Sequence, residues 1–219
     1  MAEGAHKKPL FITFEGGEGV GKSTQIGYLE EELEFRGLRV KRLREPGQTQ
    51  VGEQIRCILL DPDNAALTPL CELMLYEAAR VQMVREVLHP LLEGKAQAAD
   101  GQPYDVILCD RFYDSTFAYQ GFGRGIALET VNRLNQVAAD GIVPERTIVL
   151  VNDVEYALTK ATKSGADRIE GQPMAFHERV LEGFLELSRR EPGRVRIIHS
   201  LDDKHQTAEL VLAAVEDLL

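Results

Sequence analysis

Short apolar runs alternate along the chain with longer stretches in which apolar residues recur every three or four positions. Leu10–Glu15, Asp105–Asp110 and Thr147–Val151 are near-continuously apolar and predict buried strands. Arg39–Arg44, closed by the breaker Glu45-Pro46-Gly47, and Arg194–His199 predict two more. Helical spacing predicts a helix over Lys22–Phe35, with Ile26, Leu29 and Leu33 on one face and Gly37 as a stop. Further helices are expected over Glu53–Leu60, Leu128–Ala139, Val154–Thr162, Pro173–Arg190 and Gln206–Leu219. A long one is expected over Leu70–Leu92, interrupted only by Pro90 near its end.

Apolar strands separated by helices imply an α/β architecture, a five-stranded parallel sheet with helices on both faces. No repeat, linker or low-complexity tract divides the chain, so residues 1–219 are read as one domain. Ligands of such sheets bind beyond the carboxyl ends of the strands.

Charge narrows the picture. The 25 basic and 35 acidic residues give a net −10, which argues against a general nucleic-acid binder. No apolar run approaches the length of a membrane span or a secretory signal core, so a cytoplasmic protein without a membrane partner is expected. Cys57, Cys71 and Cys109 each sit among apolar neighbours and are expected to be buried thiols of a reducing compartment. The histidines at 6, 89, 177, 199 and 205 share no spacing and receive no catalytic role.

The clearest chemistry lies after the first strand. Gly16-Gly17-Glu18-Gly19-Val20-Gly21-Lys22-Ser23 fits G-x-x-x-x-G-K-[ST], between a predicted strand and a predicted helix. Glycines let backbone N–H groups converge on phosphate oxygens, and the helix start through Thr24 adds its positive end. Lys22 supplies charge to the β- and γ-phosphates, and the Ser23 hydroxyl suits Mg²⁺. The motif implies a nucleoside triphosphate and magnesium, and says nothing about what receives the phosphate. Val106-Ile107-Leu108-Cys109-Asp110 ends a strand in a carboxylate that suits the same metal, although a turn aspartate fits the pattern equally. Arg111 follows directly.

Five blocks carry a family resemblance. They are Phe14-Glu15-Gly16 through Thr24, Arg44-Glu45-Pro46-Gly47, Leu75-Tyr76-Glu77-Ala78-Ala79-Arg80, Asp110-Arg111 through Gly125, and Asp167-Arg168-Ile169-Glu170. In this order, over nearly the whole chain, they resemble the bacterial thymidylate kinases, nucleoside monophosphate kinases of the P-loop NTPase fold with a small mobile lid. The resemblance implies transfer of the γ-phosphate of ATP to dTMP, with Mg²⁺, in a homodimer packed through helices. It implies a cradle of Gly16, Gly17, Glu18, Gly19, Val20, Gly21, Lys22, Ser23 and Thr24 around ATP, and a metal site at Ser23 and Asp110.

The acceptor would meet Glu18 at its 3′-hydroxyl and Arg44 and Arg111 at its phosphate, where guanidinium forks fit well. Tyr76 would stack on thymine, where the family more often has phenylalanine, and Arg80, one helical turn on, would address the base edge. Ser115, Thr116, Tyr119 and Gln120 would surround base and sugar, Tyr119 crowding the 2′ position. Catalytic work would fall to Lys22, Arg44, Arg111, Arg168 and Glu18. The phosphate loop carries no arginine, so the resemblance sends that charge to the lid at about 160–170. There Arg168 matches best for the transferring phosphate, with Lys160 and Lys163 secondary. This lid is poorer in arginine than is usual, and Gln48 replaces the family's usual glycine. The rival readings are a kinase for another nucleoside monophosphate or for a deoxynucleoside, a nucleotide-dependent P-loop switch, or a weakened homologue that only binds nucleotide.

Overall fold

A computed structural model describes residues 8–162 and 165–219. Strands β1 (Leu10–Glu15), β2 (Val40–Arg44), β3 (Val106–Asp110), β4 (Arg146–Val151) and β5 (Val195–His199) form one parallel sheet in the order β2-β3-β1-β4-β5. The P-loop NTPase reading of the sheet therefore stands, strand for strand.

Register matters more than strand count. Phe14 pairs with Asp110 across β1 and β3, and Asp110 with Arg44 across β3 and β2. Three of the motifs thus end at one level of one sheet edge. The chain leaves β3 on one side of β1 and enters β4 on the other, which opens a crevice above β1.

Alternation divides the core. Ile12 and Phe14 of β1 pack with Ile26, Leu29 and Leu33 of α1 (Lys22–Phe35) and with Val211 of α9 (Lys204–Ala213). Phe11 faces the opposite layer, with Leu43, Ile107 and Phe112. Glu15 shares that second face by the same alternation, which aims its carboxylate at the segment after β3.

Differences from the periodicity follow from local chemistry. Helix α2 runs Gln50–Leu60, three residues longer than expected, because the Thr49 side chain caps it by accepting from Gly52 N at 2.9 Å. The expected Leu70–Leu92 helix is α3 (Pro69–Met83), a wide π-helical turn over Val84–Leu88, and α4 (His89–Leu92). Helix α5 (Tyr113–Thr116) and the π-helical turn Phe117–Gly123 were not expected, since aromatic, β-branched and glycine residues form helices poorly there. Burial of Phe117, Ala118 and Tyr119 against Phe176, Val180 and Phe184 of α8 (Met174–Arg190) overrides that weakness. Helices α6 (Leu128–Ala139) and α7 (Val154–Ala161) follow the sequence closely. The expected C-terminal helix ends at Ala213, ahead of a 3₁₀ turn over Glu216–Leu218.

The thiols require a correction. Cys109 is buried, but Cys57 and Cys71 are exposed. Apolar neighbours in sequence do not make a helical position inward-facing, and both lie on the outer faces of α2 and α3. Among the described residues, no helix is long and apolar enough to cross a membrane.

Candidate functional site

The loop after β1 lies flat against its neighbours because two glycines permit it. Gly16 (φ 130°) carries no Cβ where one would meet the Leu150 carbonyl oxygen at 2.2 Å. Gly19 (φ 68°) likewise lets the Ala157 carbonyl of α7 approach to where a Cβ would be 1.9 Å away. Helix α7 therefore rests on the loop itself. Lys22 turns back across the loop and donates to the carbonyls of Gly16 at 3.2 Å and Gly17 at 2.6 Å. Burial, with Arg111 adding to it, lowers the Lys22 ammonium to about 8. Ser23 Oγ lies 3.3 Å from Asp110 Oδ2, which brings the two metal candidates together.

Beside the loop is an open cleft. Glu18, Tyr76, Arg80, Arg111, Ser115, Thr116, Tyr119 and Gln120 line it, so eight of the expected acceptor residues converge from three separate segments. Arg111 has φ 70°, a left-handed backbone unusual for a side chain of this size. That turn carries its guanidinium over the loop, where it donates to Gly16 O at 2.9 Å, Ser115 Oγ at 3.2 Å and Glu18 Oε1 at 2.6 Å. Three of its five N–H groups are thus used, and two remain. The Tyr119 hydroxyl also donates to Glu18 Oε1, at 2.8 Å, which leaves Oε2 to face an occupant. Burial alone would raise the Glu18 carboxyl, but Arg111 and Lys22 hold it down at about 2.

A second carboxylate supports this arrangement. Glu15 is fully buried and accepts from Phe112 N at 2.7 Å and from Ser115 Oγ, bracing the turn that carries Arg111. Burial, with Asp114 beside it, raises its carboxyl to about 8.

Arg80 is itself buried. It donates to Glu45 at 2.9 Å, Glu77 at 2.7 Å, Asn135 at 3.2 Å and Thr116 at 2.9 Å, so one of its five N–H groups is left for the cleft. Thr116 Oγ1 accepts from Arg80 and keeps its own proton to donate. Burial raises the Tyr76 phenol well above its ordinary value, so it faces the cleft as a neutral ring.

Three expected residues stand apart. Arg44 is half exposed and donates to Glu53 at 2.7 Å, outside the cleft lining. Glu53 also accepts from Gln48 N, and Gln48 adopts φ 73°, the conformation glycine favours. Arg168 is 6% exposed and donates to Leu59 O and Glu72, whereas its neighbours Asp167 and Ile169 line the cleft. Lys160 is exposed, with its ammonium 4.1 Å from the Tyr156 ring centre. Lys163 lies outside the described residues. Sequence reasoning missed Arg56, which lines the cleft from α2 and donates to Pro46 O at 3.0 Å. No motif surrounds Arg56, so only the packing of α2 reveals it.

A glycine loop between strand and helix, a lysine across it and a serine facing a strand-end aspartate define a P-loop nucleotide-binding protein. The adjoining arginine-lined cleft adds a place for a second anionic molecule. The family model "Thymidylate kinase" matches residues 14–211. The thymidylate kinase of Trichlorobacter lovleyi is 45% identical over 213 residues, 94% of this chain and 96% of that protein. That of Gloeobacter violaceus is 43% identical over 96% of each. The crystal structure of thymidylate kinase from Ehrlichia chaffeensis superposes with a TM-score of 0.73 at 30% identity, over 95% of this chain and 99% of that one. The chain belongs to the thymidylate kinase family.

Proposed function

We propose that this protein transfers the γ-phosphate of ATP to dTMP, giving dTDP and ADP. The observation that carries this reading is Arg111, which bridges the phosphate loop and the acceptor cleft with two N–H groups to spare. The donor triphosphate lies in the loop, with Lys22 released from the Gly16 and Gly17 carbonyls to meet it. The acceptor phosphate lies against Arg111, with Arg56 and Arg44 at its approaches. An acceptor phosphate is a nucleophile at neutral pH, so the chain needs no general base; it aligns the reacting oxygens and concentrates positive charge.

In the cleft, Glu18 Oε2 accepts the sugar 3′-hydroxyl, and Tyr119, fixed on Glu18 Oε1, closes the 2′ side. Tyr76 supplies a flat face for the base. The remaining Arg80 N–H meets a base carbonyl. A hard divalent cation fits Ser23 and Asp110, whose oxygens are already neighbours, and Mg²⁺ is the ion P-loop sites favour. Asp110 and Ser23 would supply one carboxylate and one hydroxyl, and phosphate oxygens and water would have to supply the rest of its ligands. When bound, it neutralises phosphate charge. Arg168 serves this site as an anchor for the lid base, not as a group on the transferring phosphate.

Steady-state ADP formation with ATP, Mg²⁺ and each of dTMP, dUMP, UMP, CMP, AMP and GMP tests the reading. Turnover is expected with dTMP first and dUMP behind it. Preference for another acceptor rejects the base assignment, and ADP release without any acceptor rejects the kinase in favour of a nucleotide-dependent switch.

The outer faces of α2 and α3 carry exposed Val51, Ile58, Leu70, Met74 and Val81. Leu70, Met74 and Val81 follow helical spacing, so they form one stripe. We assign this face to a homodimer contact. Met74→Glu is expected to convert the protein to monomers in sedimentation velocity; a wild type that is itself monomeric at micromolar concentration would dismiss the assignment.

A further inference from the structure

Three side chains from two separate segments end on one buried carboxylate outside the cleft. Glu72, in the first turn of α3, is wholly enclosed. Its Oε1 accepts from Gln120 Nε2 at 2.8 Å and Arg124 Nε at 3.1 Å. Its Oε2 accepts from Arg124 Nη2 at 2.9 Å and Arg168 Nη1 at 2.6 Å. Arg168 also donates from Nε to Leu59 O at 2.6 Å, which ties the lid base to the end of α2. Burial alone would raise the Glu72 carboxyl, but its bonds to Arg124, Gln120 and Arg168 hold it below its ordinary value.

An ionised carboxylate accepts hydrogen bonds and donates none. The Gln120 amide, free to face either way in isolation, therefore has one orientation here, with its nitrogen on Glu72. Gln120 lines the cleft and is itself buried. Its carbonyl oxygen is the end left for an occupant, and an occupant that shields that oxygen from water must offer it an N–H. Thymine and uracil carry a ring N–H on their pairing edge, whereas cytosine presents a lone pair there.

We propose that Glu72 is a positioning residue that sets the sense of base recognition, by holding the Gln120 oxygen toward a ring N–H. The proposal rests on the dTMP reading above. Glutamine at position 72 can donate as well as accept, so Glu72→Gln releases the amide from its single orientation. Aspartate keeps the acceptor-only chemistry.

The test is kcat/KM for dTMP and for dCMP, with KM for ATP, in the wild type, Glu72→Gln and Glu72→Asp. A site that pairs a substrate N–H rejects analogues lacking it by orders of magnitude, so the wild-type preference for dTMP is expected to be large. In Glu72→Gln that preference falls about tenfold or more, through KM for the nucleotide, while KM for ATP stays within twofold. Glu72→Asp retains most of it. The pair Glu72→Gln with Arg124→Gln keeps the net charge of the cluster and is expected to show the same loss, should the single variant fail to fold. A folded variant with the wild-type dTMP:dCMP ratio overturns the proposal and leaves Glu72 a structural residue. Equal wild-type turnover of dTMP and dCMP overturns it too, whereas no turnover on dTMP unseats the substrate reading itself. Independently of any variant, one Gln120 side-chain amide proton in the wild type is expected to resist solvent exchange. Exchange of both at free-amide rates counts against the proposal.

Discussion

Arg111→Ala is expected to lower kcat/KM for dTMP by about 10³-fold or more, the range associated with a guanidinium that stabilises charge on a transferring phosphoryl group. KM for ATP should change by less than a few fold, because Lys22 and the loop backbone hold the donor. The size of the effect follows from position. The left-handed backbone at Arg111 places its guanidinium between the Gly16 carbonyl and Glu18, and Ser115, braced by Glu15, fixes it from below. No other basic side chain among the described residues joins the phosphate loop to the cleft in this way. Arg111→Lys keeps the charge but loses the fork, and is expected to recover only part of the rate. Initial rates with both substrates varied, beside a melting curve showing that the variant is folded, decide the matter. A kcat/KM within tenfold of wild type would remove Arg111 from the mechanism.

The second large effect is on stability. Arg80→Met leaves Glu45 and Glu77 buried without their shared cation, a change that typically costs about 3–5 kcal/mol. For a domain of this size the melting temperature should fall by roughly 6–20 °C. The pH dependence identifies the cause. Even beside Arg80, burial raises the Glu45 carboxyl from 4.5 to about 7. Without Arg80 it rises further, so above pH 4.5 the unfolded chain releases a proton that the folded chain keeps. Folding stability then falls as pH rises, and the deficit of Arg80→Met against wild type should be larger at pH 8 than at pH 5. A deficit independent of pH would mean that lost packing over Phe112, 5.6 Å beneath the guanidinium, is responsible instead. In either case KM for dTMP should rise while KM for ATP holds, since Arg80 addresses the cleft and not the loop.

The sequence carried the sheet because strand and helix periods are local. Five apolar runs and the glycine loop needed only neighbours along the chain to declare themselves, and the register that aligns Phe14, Arg44 and Asp110 followed from where each run stopped. The cleft lining was legible to the extent that contiguous blocks supplied it, as with Ser115, Thr116, Tyr119 and Gln120. Those blocks did not disclose that their own segment is helical. Its residues form helices poorly, and only the cover provided by α8 makes the conformation stable.

Partnership was decided by the tertiary structure alone. Arg168 in sequence is a basic residue of a lid; in the fold it is a buried partner of Glu72, 96 positions away. Glu15 and Glu45 stand in the sequence blocks without a role until the fold sets one against Ser115 under Arg111 and the other against Arg80. Arg56 belongs to no motif and enters the cleft because α2 packs beside it, and Cys57 and Cys71 face outward for the same reason. Periodicity and spacing fix which residues share an element. Which charge answers which depends on contacts between elements far apart in the chain, and burial then determines how strongly those charges act on one another.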